Sequence, residues 1–370
     1  MIRLEHVTKR YPNGFVAVND LSIEVDEGEL VVLVGPSGCG KTTTMRMINR
    51  LVEPSEGHIF IADKDVTKAD PVTQRREIGY VIQQIGLFPH QSVADNVATV
   101  PKLLGWSKAK IGERVDELLD LVSLDPARFR DRYPHQLSGG QRQRVGVARA
   151  LGADPPVLLM DEPFGAIDPI NRERLQDEFI SLQDDLHKTI VFVTHDIEEA
   201  VKLGDRICVL AEGGVVGQFD TPANILANPA SEFVADFVGA DRALKRLKVT
   251  DIDPSDLIEP PVVAADAPLD EARQKMEAED IDFAIALDAD GRLQGYLARE
   301  RAVGDGSVRS RLQRLQSWVP AHDNLKDALA EMLLYDAGWV AVLDENERFL
   351  GVLTPDSLYT ATRRSMEAEG

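Results

Sequence analysis

Gly35-Pro36-Ser37-Gly38-Cys39-Gly40-Lys41-Thr42 follows an apolar run, Leu30-Val31-Val32-Leu33-Val34, and leads into Thr43-Thr44-Met45-Arg46-Met47-Ile48, which has a helical pattern. Strand, glycine turn and helix in that order form a phosphate-binding loop. Glycines let the backbone curl so that successive N–H groups point at a polyphosphate. The helix N-terminus adds its partial positive charge. Lys41 is placed to reach the outer phosphates, and the Thr42 hydroxyl to ligate Mg²⁺. A glycine turn beside a surface lysine would not need every one of these positions filled. The loop therefore specifies a nucleoside triphosphate, but not the use made of it.

The rest of the composition sets bounds. A length of 370 residues suggests two or three domains, and 44% apolar residues supply ample cores. No run approaches the ~20 apolar residues of a membrane span. Met1-Ile2-Arg3-Leu4-Glu5-His6 lacks the pattern of a secretory signal. Cys39 and Cys208 make neither a disulfide framework nor a metal spacing, and both read as reduced. The net charge of −21 opposes a nucleic-acid partner, which needs a basic footprint. Residues 251–370 hold 25 of the 62 acids but only 12 of the 41 basic residues, so the last third carries most of the imbalance.

Along the chain, residues 3–25, 57–61 and 78–82 read as strands. Tyr11 precedes the loop Pro12-Asn13-Gly14, where an aromatic can stack on an adenine ring or simply pack. Gln83, at the end of a buried strand, can reach Mg²⁺ or attacking water, or can be an ordinary strand-end polar group. Ile111, Val115, Leu118, Leu119 and Val122 recur at helical spacing within a helical stretch, 93–133. Leu137-Ser138-Gly139-Gly140-Gln141 then opens another helix, a second anion-ready terminus in one chain. Val157-Leu158-Leu159-Met160 is a buried strand ending in Asp161-Glu162-Pro163, and Ile190-Val191-Phe192-Val193 ends in Thr194-His195-Asp196. Acids and a histidine at the carboxyl ends of such strands face the place where ligands bind. Asp161 suits Mg²⁺, and Glu162 suits the attacking water.

The phosphate loop, Gln83, Leu137 to Gln141, Asp161-Glu162, Asp168 and His195, in this order, resemble the ATP-binding cassette (ABC) family over residues 1–240. The resemblance implies an α/β P-loop ATPase domain with a helical subdomain at about 84–150. It implies ATP binding by Tyr11, Gly35, Pro36, Ser37, Gly38, Cys39, Gly40, Lys41, Thr42 and Thr43. Mg²⁺ would be held by Thr42, Gln83 and Asp161, and catalysis would rest on Glu162, His195, Lys41 and Gln83. Two cassettes pair head to tail in this family, so a homodimer is implied, with Ser138, Gly139, Gly140, Gln141 and Asp168 supplied by the second copy. Ile167 stands where the family usually has leucine, and Gln136 where many importer cassettes have glutamate. Without a membrane span, the chain would work at the cytoplasmic face of the membrane with a separate integral membrane permease and an extracytoplasmic substrate-binding protein. The run Tyr80 to His90 looks most like the quaternary-amine branch, whose cargoes are glycine betaine, carnitine, choline and proline betaine.

Residues 263–298 repeat at 319–354 with a constant offset of 56. Val263 matches Val319, Ala272 matches Ala328, Met276 matches Met332, and Leu287-Asp288 matches Leu343-Asp344. Each unit reads helix, strand, turn, strand, and two such units can bury their faces on each other. This resembles a tandem CBS pair of α+β type, with 241–254 as linker, 255–310 as the first unit and 311–365 as the second. The nucleotide-binding pattern of CBS pairs is incomplete here: Asp356 falls one place early, before Ser357, and Arg301 stands where the first unit needs an aspartate. AMP or ATP is therefore not assigned. A cyclic dinucleotide or an ionic-strength response remains open for this acidic module, as does a merely solvated acidic surface. An importer of another solute and a soluble, non-transport ABC ATPase are the competing functions.

Overall fold

The computed structural model describes residues 1–82, 86–165 and 167–367. The chain divides into two compact units, Met1–Ala240 and Asp241–Gly370.

The first unit is built on two sheets. Strands β1 (Ile2–Arg10), β2 (Val16–Val25), β4 (Glu56–Ile61) and β5 (Lys64–Asp65) form an antiparallel sheet in the order β2-β1-β4-β5. Strands β3 (Leu30–Val34), β6 (Ile78–Val81), β7 (Val157–Asp161), β8 (Thr189–Val193), β9 (Arg206–Ala211) and β10 (Val215–Asp220) form the second, ordered β10-β9-β3-β8-β7-β6. All its pairings are parallel except β9 with β10. Every residue of β3, β7 and β8 is buried, which explains why these strands read as unbroken apolar runs without alternation. One core joins Leu4 and Leu21 of the antiparallel sheet, Met45 and Ile48 of the helix Lys41–Ile48, and Leu33, Leu159 and Val191 of the parallel sheet. The phosphate-loop helix is thereby fixed to both sheets.

Helices between Val93 and Leu151 make up the helical part of this unit. Val115, Leu118, Leu119 and Val122 are buried there, as their spacing requires, while Ile111 is half-buried. No described helix is long and apolar enough to cross a membrane.

In the second unit the repeat is visible in the backbone. Strands β11 (Val262–Ala264), β12 (Phe283–Leu287) and β13 (Leu293–Ala298) form one sheet; β14 (Trp318–Pro320), β15 (Val340–Leu343) and β16 (Phe349–Leu353) form the other. Each sheet has a parallel pair followed by an antiparallel pair, and the register slips at equivalent places, after Ala286 and after Val342. Asp288 accepts the N–H groups of Asp290 and Arg292, as Asp344 does those of Asn346 and Arg348. Asp280 and Asp336 both end their helices with positive φ. The leading strands β11 and β14 add to the expected helix-strand-turn-strand unit. The expected linker, 241–254, is also more than a linker: it forms the helix Arg242–Lys248, and Leu247 and Ile252 join the core of the second repeat.

Candidate active site

The phosphate loop is held open by its own chain. Gly40 has φ +98°, and a Cβ there would lie 2.4 Å from the Ala17 carbonyl oxygen, so only glycine fits. Pro36, Ser37 and Gly38 form an exposed rim, whereas Cys39 and Lys41 are buried. The Lys41 ammonium donates to the carbonyl oxygens of Gly35 (2.7 Å) and Pro36 (3.0 Å) and lies 3.6 Å from Cys39 Sγ. Loop carbonyls thus hold the amine at the rim. Thr43 follows on the helix and is half-buried. Tyr11 sits at a turn, half-buried, with its ring stacked near Phe15 at a centroid separation of 6.4 Å.

Strand order brings the remaining groups to this loop. β3 and β7 flank β8, so Thr42, Asp161 and His195 emerge along one sheet edge. The Thr42 hydroxyl donates to Asp161 Oδ1 at 3.1 Å. Burial pushes the Asp161 carboxyl up in pKa, partly offset by the Thr42 hydrogen bond and the positive charge of Arg46. A buried carboxylate beside a hydroxyl is a fitting pair of oxygen ligands for a small hard cation. Glu162, the next residue, has φ +45°, an uncommon backbone for a non-glycine residue. Its N–H donates to the Val193 carbonyl at 2.9 Å, and its Oε1 lies 3.4 Å from His195 Nδ1. The turn therefore aims the Glu162 side chain at the end of the neighbouring strand. Gln83 lies outside the described residues.

Other groups complete the edge and were not singled out by sequence reading. The Tyr80 phenol hydrogen bonds with Asp161 and with Arg46, and burial, then the Asp161 charge, pushes its pKa up. The spacing of Arg46 four places after Thr42 was the available signal, since such residues share a helix face. Behind His195, buried Glu199 accepts from Gln176 Nε2 at 2.9 Å and bonds with the Thr194 hydroxyl. Burial raises its pKa.

The second anion-ready turn is in a separate cleft, of about 530 Å³, lined by Ser138, Gly139, Gly140, Gln141, Ile167 and Asp168 among others. Ser138 caps the helix Gly139–Leu151: its hydroxyl accepts from the Gln141 N–H at 3.3 Å while Gln141 Oε1 accepts from the Ser138 N–H at 2.9 Å. Gln136 likewise accepts the Tyr133 N–H at 2.8 Å. Asp168 caps Pro169–Leu186, and its hydrogen bonds to Asn171 hold its pKa below the ordinary carboxylate range. Gly139 differs from Gly40. Its φ is not positive and a Cβ there would meet nothing within 4 Å, so its own chain gives no reason for glycine. The five residues expected to act from a second copy thus share one open cleft.

A phosphate loop on a parallel sheet, with an acid pair and a histidine at the neighbouring strand ends, defines a P-loop nucleoside triphosphatase. The ABC transporter family matches residues 18–165, and the CBS domain family matches 249–303 and 317–363. With relatives of 45–48% identity over nearly its whole length, this chain belongs to the ABC transporter family, as an ATP-binding ATPase followed by a CBS pair. The carnitine transport ATP-binding protein OpuCA of Listeria monocytogenes is 48% identical over 97% of this chain and 91% of its own length. The osmoprotectant import ATP-binding protein OsmV of Salmonella typhimurium is 45% identical over 100% and 98%. A solved dimeric structure of the ATP-binding cassette MJ0796, in a post-hydrolysis state bound to ADP and Pi, has 36% identity and a TM-score of 0.54 over 60% of this chain and 99% of that one.

Proposed function

We infer that two copies of this chain pair head to tail at the cytoplasmic face of the membrane, hydrolyse ATP at composite sites, and energise import of a quaternary-ammonium osmoprotectant through a separate permease served by an extracytoplasmic binding protein. The observation that carries the reading is near full-length likeness, CBS pair included, to relatives named for carnitine and osmoprotectant transport.

Within the composite site, Lys41 exchanges its two loop carbonyls for phosphate oxygens. Thr42 and Asp161 are the described residues that would hold Mg²⁺, which when bound neutralises phosphate charge. Glu162 orients the attacking water and takes its proton, and His195, 3.4 Å away, holds the Glu162 carboxylate and the phosphate end in line. Ser138 and the free N–H groups after it approach from the second copy, where a bare Gly139 lets backbone come close to phosphate. Asp168, in the same cleft, would move with them.

The test is reconstitution in vesicles with the permease and binding protein of its own transporter. ATP-dependent uptake of glycine betaine, carnitine or choline supports the reading; ATP hydrolysis stimulated only by an unrelated solute refutes the cargo.

A further inference from the structure

A cleft of about 240 Å³ has a lining that includes Tyr296 from the first CBS repeat and Arg314, Ser317, Tyr335, Asp336 and Trp339 from the second. Pockets for drug-sized ligands run to ~300–1,000 Å³, so this one suits a smaller molecule. Three aromatic rings stand in an otherwise largely polar lining. Tyr296 and Trp339 stand at 89° with centroids 5.5 Å apart, making a corner of two ring planes. Phe283 lies parallel to Trp339 at 4.3 Å and steadies that ring. Ser317 is 2% exposed, and its hydroxyl has no hydrogen-bond partner among the described residues. A buried hydroxyl without a partner, in the lining of a cleft, marks a place for a polar atom of a ligand. Arg314 is an exposed cation on the same lining, and Asp336 an exposed acid.

The repeat allows each of these positions to be compared with its counterpart. An offset of 56 puts Ile258 where Arg314 stands, Pro261 for Ser317, Val352 for Tyr296 and Phe283 for Trp339. The core positions agree between the halves; of the cleft positions, Asp336 recurs as Asp280 and an aromatic ring recurs at 283 and 339, while Arg314, Ser317 and Tyr296 have no like counterpart. The backbone bridging is common to both halves, Ile258 with Val352 and Gln313 with Tyr296, so the difference lies in the side chains. The charge of Arg314, the hydroxyl of Ser317 and the ring of Tyr296 thus stand where their counterparts, Ile258, Pro261 and Val352, are apolar.

We propose that this cleft binds a small zwitterion with a quaternary ammonium group and a carboxylate, the chemistry of glycine betaine and carnitine. A quaternary ammonium has no N–H to donate, so aromatic faces are its natural partners. The Tyr296–Trp339 corner and Tyr335 receive the cation, with Asp336 adding negative charge. Arg314 pairs with the carboxylate, and the Ser317 hydroxyl donates to it. The inference rests on the cargo reading above, since a chain that energises uptake of such a solute meets it after entry.

Calorimetric titration of the full chain with glycine betaine, with choline as the analogue lacking a carboxylate, and with AMP tests it. Saturable betaine binding is expected. Trp339→Ala should weaken it about five- to tenfold while Trp339→Phe keeps most of it. Arg314→Gln, at an exposed position, should weaken betaine and leave choline unchanged. Absence of saturable betaine binding, an unaltered affinity in Trp339→Ala, or AMP binding that betaine does not displace would overturn the proposal. If reconstituted transporters carry betaine while the full chain does not bind it, this inference alone fails. If the chain binds betaine but another solute is transported, the cleft stands and the cargo reading falls.

Discussion

Glu162 Oε1 lies 3.4 Å from His195 Nδ1, across the ends of two strands that are hydrogen-bonded neighbours. The pair is therefore set by sheet register and needs no loop rearrangement to meet. Replacing Glu162 by Gln keeps the shape and the contact but removes the base. Glu162→Gln should lower ATP turnover by about 10²–10⁴-fold while ATP binding persists and the dimer accumulates. Turnover assays beside size-exclusion chromatography with ATP check this; undiminished hydrolysis would remove Glu162 from its role.

Gly40 and Gly139 separate structure from assembly. Gly40→Ala puts a Cβ against the Ala17 carbonyl in a backbone of φ +98°, so it should destabilise the first unit and abolish nucleotide binding. Gly139→Ala meets nothing in its own chain and sits in a helix's first turn. Its melting temperature should stay level or rise slightly, yet ATP turnover should drop at least tenfold because, in the composite site proposed above, the added methyl would face the other copy. A Gly139→Ala protein with normal turnover would argue against the composite site.

Glu199 is 7% exposed, and burial raises its folded-state pKa. A carboxyl raised in this way favours the fold while it is protonated, below its unfolded value of ~4.3. That contribution is lost as pH rises through the folded value. Glu199→Gln keeps an acceptor for Thr194 and carries no charge to bury. Its stability relative to the parent should therefore improve between about pH 4 and about pH 7. Urea denaturation at both ends of that range measures the difference; a variant that loses stability relative to the parent as pH rises would contradict the assignment.

Asp288 and Asp344 each accept two backbone N–H groups in equivalent turns, at 2.9 Å in the first and 2.8 Å in the second. Asp288→Ala and Asp344→Ala should each cost about 1 kcal/mol or somewhat more. The two turns touch through the Arg292–Arg348 bridge, so the double variant should depart from additivity. Widely unequal losses would mean that the two turns differ in a way their geometry does not reveal.

Legibility followed how locally each feature is determined. The phosphate loop could be read because each of its positions answers to one ligand group, and β3, β7 and β8 because full burial leaves unbroken apolar runs. The repeat could be read because identical backbone needs recur at a fixed offset, down to the positive φ of Asp280 and Asp336. The three-residue strands β11 and β14 escaped, since so short a segment has no period and pairs with a strand formed after an intervening helix. Arg46 and Tyr80 around Asp161 escaped because three separate elements converge there. The helix Arg242–Lys248 escaped because its composition is mostly charged and its apolar partners lie far along the chain.

That helix and the turns after it also set an order of events. Arg246 donates to the Ser365 hydroxyl at 3.0 Å, and Arg364 to Asp256 at 2.8 Å, bonds that span 119 and 108 positions. On the ribosome, the segment that begins the second unit emerges with its binding surface still unmade. The cassette can fold as soon as residue 240 is out, since N-terminal domains fold as units during synthesis. The second unit has to wait for its last helix, which closes it like the pin of a brooch. A premature stop that removed only that helix would leave an intact engine joined to an unfastened module, a lesion felt first in residues 242–256 rather than at the broken end.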